Sequence, residues 1–322
     1  VSEAGSNLVR PLSEDGALSL VYDSTLAHFV EGWLPRQPSG PESNSSAAIE
    51  VVSGSLPVLS IEDPPTLRLG KIDAWYLAPD EQVVMAGRAE GGSRGLIELS
   101  ARRALLCVEP EARDDVAAAD VYSMLTVAAA LLLGRLGRAL VHAGAVVAPA
   151  GSAWAVAGDA KSGKSTLCAG LIAAGWSYLS DDQIVLWAES GLESLRTEGW
   201  PRDFHLDEGW ARGVPTGARR VVDPRSLGPG RWQRSAGLAG TLLPQVAAEK
   251  PTRVSPVQPS ETLAALVRQT PWLMVDPAVA PACLELLRAV ATLPAYRVSL
   301  GRDAFGDPPV LLAALCAAGG PS

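Results

Sequence analysis

The nine residues from Gly158 to Thr166, Gly-Asp-Ala-Lys-Ser-Gly-Lys-Ser-Thr, fit the phosphate-binding spacing G-x-x-x-x-G-K-[ST]. Glycines let the backbone wrap inward, so that the N–H groups of Asp159, Ala160, Lys161, Ser162 and Gly163 point at phosphate oxygens. The positive end of a following helix adds to that field. Lys164 then reaches the β and γ phosphates, while the Ser165 hydroxyl ligates Mg²⁺. The whole chain holds only Lys71, Lys161, Lys164 and Lys250, and two of these four lie in the loop, which argues against a chance glycine turn. These residues predict a bound nucleoside triphosphate without saying what becomes of it.

Three further groups could act on that phosphate. Trp176 to Trp187 reads WSYLSDDQIVLW, with Asp181 and Asp182 at the centre of an apolar run. Adjacent carboxylates inside a strand are costly unless a cation or a proton-transfer role offsets the burial. One aspartate would serve Mg²⁺ and the other would take the proton of an attacking hydroxyl; a polar turn between two short strands is the other reading. His142 sits in ALVHAGAVV, Ala139 to Val147. A lone histidine in an apolar strand is ordinarily a satisfied core residue, but a hairpin through Pro149-Ala150-Gly151 would bring this one beside the loop. Arg202, in GWPRDFHL, would clamp a transferring phosphoryl group or stand solvated.

The elements needed to position these groups are visible around them. SAWAVA (Ser152–Ala157) reads as a strand and STLCAGLIAA (Ser165–Ala174) as a helix, giving the strand, loop, helix order of a phosphate site, with Gly175 as its C-cap. Upstream, LSLVYD, AIEVVS, AWYLA, QVVMAG, GLIELS and ALLCVE read as strands, and Arg36–Ser46, without an apolar residue, as a loop. From Glu111 the pattern becomes a long helix with Asp114 and Asp115 near its start. Its apolar surface runs nearly all round, which predicts a place at a domain junction. Arg212, Arg219, Arg220, Arg225, Arg231 and Arg234 fall among glycines and prolines between Gly209 and Leu243. That segment reads equally as a lid or acidic-peptide site and as a solvated loop. Helices are expected near Glu261–Arg268, Pro281–Leu293 and Pro309–Ala318, with a strand at Tyr296–Leu300.

Composition bounds the rest. With 322 residues, 48% hydrophobic and 19% charged, the chain predicts two soluble globular domains, a β-rich 1–110 and a catalytic 111–322. A net charge of −8 argues against a general nucleic-acid binder. Cys107, Cys168, Cys283 and Cys316 form no C-x-x-C pair and read as buried thiols in a reducing cytoplasm. The most apolar run, Met124–Leu133, is too short for a membrane span, so no membrane partner is expected.

The order LVHAGAVV, GDAKSGKSTL, GWSYLSDDQIVL resembles the HPr serine kinase family and its relatives over about Leu140 to Leu186. Its look is nearest to divergent HPr-kinase-like peptide kinases of lasso-type peptide-modifying gene clusters. The resemblance implies an α/β P-loop kinase domain similar to phosphoenolpyruvate carboxykinase, preceded by a smaller β-rich domain. It implies ATP and Mg²⁺ at the loop, Asp181 as base on a serine hydroxyl of a peptide or small protein, His142 beside the phosphate, and Ser165 and Asp182 near the metal. The chain departs from the family in lacking a Glu-Ile-Arg-Gly signature and in carrying Asp159 and Lys161 within the loop.

Other nucleotide-using classes fit poorly. A GTPase needs an Asn-Lys-x-Asp reader, yet Asn7 and Asn44 both precede the loop, and no Leu-Ser-Gly-Gly transporter signature is present. The expectation is therefore an ATP-dependent hydroxyl kinase, with a small-molecule kinase or a nucleotide-binding regulator without turnover as alternatives. A homo-oligomer is compatible with the sequence, and the first hundred residues would either bind a leader peptide or support assembly.

Overall fold

The computed structural model describes residues 7–31, 34, 45–57, 61–89, 92–111, 113–200, 202–209, 216–228, 231–247, 251–304 and 308–320. Most of the loop expected over Arg36–Ser46 lies outside these, as do Pro201 and Arg212. The described chain is mixed α/β with several sheets. It divides into two compact units, Val1–Arg138 with Pro271–Cys283, and Ala139–Thr270 with Leu284–Ser322.

Short alternating strands build the first unit: β1 (Asn7–Pro11), β2 (Leu18–Asp23), β3 (Ala47–Ser53), β4 (Leu67–Leu69), β5 (Ile72–Leu77), β6 (Gln82–Gly87), β7 (Arg94–Glu98) and β8 (Arg103–Val108). They form one sheet ordered β1-β2-β3-β8-β7-β6-β5-β4, in which β3 runs parallel to β2 and β8. Ala47, Ile49 and Val51 of β3 face inward at every second position, as the period of a strand with one buried face requires.

Helix α1 (Ala27–Val30) and the long α2 (Asp114–Arg135) belong to this unit. The boundary expected after residue 110 therefore falls at Arg138 instead. Every residue of α2 from Met124 to Leu133 is buried, and the helix packs on β2, β3, β5, β8, α1 and the Pro271–Met274 turn. These neighbours account for its all-round apolar surface. The helix is long and apolar enough to cross a bilayer, but most of it is buried within the protein.

The second unit carries β9 (Ala139–Val141), β10 (Gly144–Val147), β11 (Ala153–Val156), α3 (Lys164–Ala173), β12 (Ser177–Ser180), β13 (Ile184–Ala188), β14 (Leu195–Gly199), β15 (Phe204–Asp207), β16 (Arg219–Val222), β17 (Ser235–Val246), β18 (Arg253–Pro256), α4 (Pro259–Arg268), α5 (Ala280–Ala291, whose first residues count with the first unit), β19 (Ala295–Leu300) and α6 (Pro308–Ala317). Strand β17 is its spine. The start of β17 pairs antiparallel with β14, while its remainder runs parallel to β11 and β19. The segment expected as an arginine-rich lid or loop thus contains β16 and most of this central strand. Gly237, Gly240 and Pro244 had disguised it, since glycine and proline both weaken a strand signal.

The topology brings two chain reversals face to face. β9 pairs with β13 through Val141 and Ile184, whereas the continuing β10 pairs with β12 through Ala145 and Ser180. The chain therefore passes from one half of the sheet to the other twice at one level, at His142-Ala143 and at Asp181-Asp182-Gln183. Leu167, Leu171 and Ile172 of α3 pack against Val146, Val156, Phe204, Leu206, Leu242 and Leu311, fixing the helix over the sheet.

Candidate functional site

β11 delivers the chain to Gly158, and α3 starts at Lys164 with Gly163 as its N-cap. Gly163 has φ +102°, a left-handed conformation that suits glycine, and a Cβ there would meet Leu300 Cδ1 at 2.9 Å. Lys161 also has positive φ, +66°, at the crest of the loop. At the far end of α3 Gly175 takes φ +99°, and Trp176 N–H donates to the Leu171 carbonyl across 3.0 Å, closing the helix with a Schellman turn.

Lys164 is buried, and its Nζ donates to the carbonyl oxygens of Gly158 (2.6 Å) and Asp159 (3.3 Å). Burial lowers its pKa from the usual lysine range, opposed by the nearby Asp181 and Asp182 carboxylates. The ammonium is thus held inside the loop, where a phosphate oxygen would compete with the two carbonyls for it.

The Ser165 hydroxyl donates to Asp181 Oδ2 at 2.9 Å. Asp181 Oδ1 is buried and has no hydrogen-bond partner among the described residues. Burial pushes the Asp181 carboxyl up to about 7; the Ser165 hydrogen bond pulls the other way and the neighbouring Asp182 adds to the rise. A hydroxyl and a buried carboxylate with an unpartnered oxygen are hard-oxygen donors that fit Mg²⁺, which takes one or two carboxylates plus substrate phosphates. No cluster of three or more metal-binding His, Cys, Asp or Glu side chains occurs among the described residues.

Asp182 faces the other way. Its Oδ1 lies 3.1 Å from His142 Nδ1 and its Oδ2 accepts from Arg202 Nη1 at 3.1 Å. Arg202 also reaches Gln183 Oε1 at 3.4 Å. The Arg202 backbone is pinned through Tyr178, whose hydroxyl donates to its carbonyl (2.7 Å) and accepts from its N–H (3.1 Å). Ser180 Oγ donates to the carbonyls of Gln183 and Trp200, which braces the bend carrying both aspartates.

The structure therefore gathers His142, Lys164, Ser165, Asp181, Asp182 and Arg202 at the end of the Gly158–Gly163 loop. Ser165 meets Asp181, and the two aspartates sit in a bend between β12 and β13, the turn between two short strands that is one of the two readings of the sequence, not within a strand. His142 likewise lies just past β9, and Arg202 is buried instead of solvated. Sequence reasoning missed Gln269, whose carbonyl accepts from His142 N–H at 2.9 Å and whose Nε2 donates to Asp159 Oδ1 at 3.2 Å. No motif marks a glutamine at a helix end. It also missed Tyr178 and Ser180, where polar residues alternating through SYLS beside the aspartates were the available signal.

No protein-family model matches the chain, and no curated protein matches it. Among solved structures, the chain is similar to the HPr(Ser) kinase/phosphatase from Coxiella burnetii, at 20% identity over 35% of this chain and 69% of that one, with a TM-score of 0.26.

Proposed function

We propose that the second unit is an HPr-kinase-like P-loop domain that transfers the γ-phosphoryl group of ATP to a hydroxyl, that of a serine in a peptide or small protein. The observation that carries this reading is the 2.9 Å bond from Ser165 to Asp181 beside a buried Lys164, with Asp182 held separately by His142 and Arg202. Two carboxylates in different environments can take two roles. Ser165 and Asp181 would hold Mg²⁺, which neutralises phosphate charge when bound. Asp182, backed by His142, would accept the proton of the attacking hydroxyl, and Arg202 would steady the transferring group.

A peptide acceptor is favoured over a metabolite because the Asp182 and His142 side chains are partly open to solvent, 28% and 43% exposed. The test is ATP consumption with Mg²⁺ across serine-containing peptides and small hydroxyl compounds, in the parent protein, Asp181→Asn and Asp182→Asn. Turnover that requires a peptide, needs more Mg²⁺ in Asp181→Asn and falls sharply at any Mg²⁺ concentration in Asp182→Asn supports the reading. Turnover with a free small molecule moves the acceptor class, and nucleotide binding without turnover makes the protein a regulator.

A further inference from the structure

The phosphate loop carries an acid where one is least welcome. Asp159 follows the loop's first glycine, its side chain is 69% exposed, and its own carbonyl touches Lys164 Nζ. A carboxylate free to rotate there would compete with phosphate for Lys164 and repel the incoming anion. It is not left free. Gln269 Nε2 donates to Asp159 Oδ1 at 3.2 Å, and Arg268 Nε lies 3.5 Å from the same oxygen. Both residues come from the end of α4, where Gln269 is the C-cap, buried, with its N–H bonded to the Ala265 and Leu266 carbonyls. The donor is thus fixed by the helix before any ligand arrives.

We propose that the end of α4 is a clasp that holds the Asp159 carboxylate off the phosphate cradle, with Gln269 and Arg268 as positioning residues for nucleotide binding. The clasp rests on the reading of Gly158–Thr166 as a nucleotide phosphate site. Gln269 supplies a neutral donor that cannot itself attract phosphate away from Lys164, and Arg268 offsets the negative charge. The Gln269 carbonyl at the same time seats His142, so one residue joins the acid of the loop to the second half of the site.

The test is the affinity for ADP with Mg²⁺, by calorimetry, in the parent, Gln269→Leu, Gln269→Glu and Arg268→Leu, each also made in an Asp159→Asn background. These substitutions keep the backbone bond to His142. Gln269→Leu is expected to weaken binding about tenfold with Asp159 present, and Gln269→Glu to weaken it further by setting one carboxylate against another. In the Asp159→Asn background each loss should shrink to about twofold or less. Equal losses in both backgrounds would overturn the clasp, because general damage to the helix end does not depend on the charge of Asp159. So would unchanged affinity in all three single variants. A parent protein that binds no ADP overturns the nucleotide site itself, and with it the clasp.

Discussion

Ser165 and Asp181 meet at 2.9 Å, so the first turn of α3 and the bend after β12 share one oxygen pair. That contact sets the two aspartates in different surroundings. Asp181 is turned into the protein, with a buried oxygen that lacks a partner among the described residues, while Asp182 is turned toward His142, Arg202 and solvent. The resemblance implies a base at Asp181 and a cation ligand at Asp182; the function proposed above exchanges these roles.

Asp181→Asn and Asp182→Asn should therefore fail differently. Asp181→Asn is expected to raise the Mg²⁺ concentration needed for nucleotide binding on the order of tenfold, since a carboxylate ligand is lost. Asp182→Asn should leave that requirement within about twofold and lower kcat about 10²- to 10⁴-fold, the usual range for a lost general base. Mg²⁺ titrations of nucleotide binding, set beside acceptor turnover, separate the two.

The Asp181 carboxyl, pushed up to about 7 by burial, sets a pH dependence of known sign. A carboxyl that holds its proton more tightly when folded contributes stability below its ordinary value of 3.8, and loses that contribution as pH rises through about 7. Denaturant midpoints should fall from pH 4 to pH 7 more steeply in the parent than in Asp181→Asn, roughly levelling off above that. Mg²⁺ affinity should move oppositely, rising with pH up to about 7, because the cation needs the ionised form. Parallel pH curves for parent and variant would remove Asp181 as the source.

The turn of Gly158–Gly163, the helix after it and Gly175 could be read from sequence because each depends on local chemistry, glycine where φ is positive and a helix-forming run between two glycines. The strands at Leu18–Asp23 and Gln82–Gly87 were equally plain, since one buried face imposes a period of two. What escaped was set by pairing at long range. Nothing local in SDDQ shows that β12 and β13 join different halves of the sheet, and so nothing local said that the aspartates would point apart. The extent of the first unit was hidden for a similar reason, as the all-round apolar pattern of α2 does not say which sheet will cover it. Gln269 stood 110 residues from Asp159 along the chain.

Arg202 should not tolerate lysine. Its Nη1 and Nη2 reach Asp182 and Gln183 separately, a fork that one ammonium cannot reproduce. Arg202→Lys is expected to lower kcat about 10²-fold with a smaller change in nucleotide KM. Tyr178→Phe, which removes both hydrogen bonds to the Arg202 backbone, should cost about 1 kcal/mol of stability and give a milder loss of kcat. Steady-state kinetics and denaturant unfolding check both.

Gly144 is the point at which packing and chemistry are most directly linked. It opens β10, just after His142, and a Cβ there would lie 2.9 Å from Cys168 Sγ and 3.2 and 3.4 Å from the carbonyl oxygens of Ser180 and Asp181. The sulfur belongs to α3, and the carbonyls belong to the segment that sets the aspartates. Gly144→Ala is thus expected to destabilise the protein by about 1–3 kcal/mol, the usual cost of overpacking, and to lower turnover by displacing Asp181. Cys168→Ala in the same chain removes the closest obstacle and should recover part of the stability. It leaves the carbonyl oxygens where they are, so turnover should recover less than stability does. Melting temperature and kcat measured on the two single variants and the double variant decide the matter. Full recovery of both would place the whole effect on the sulfur and leave Asp181 undisturbed by Gly144.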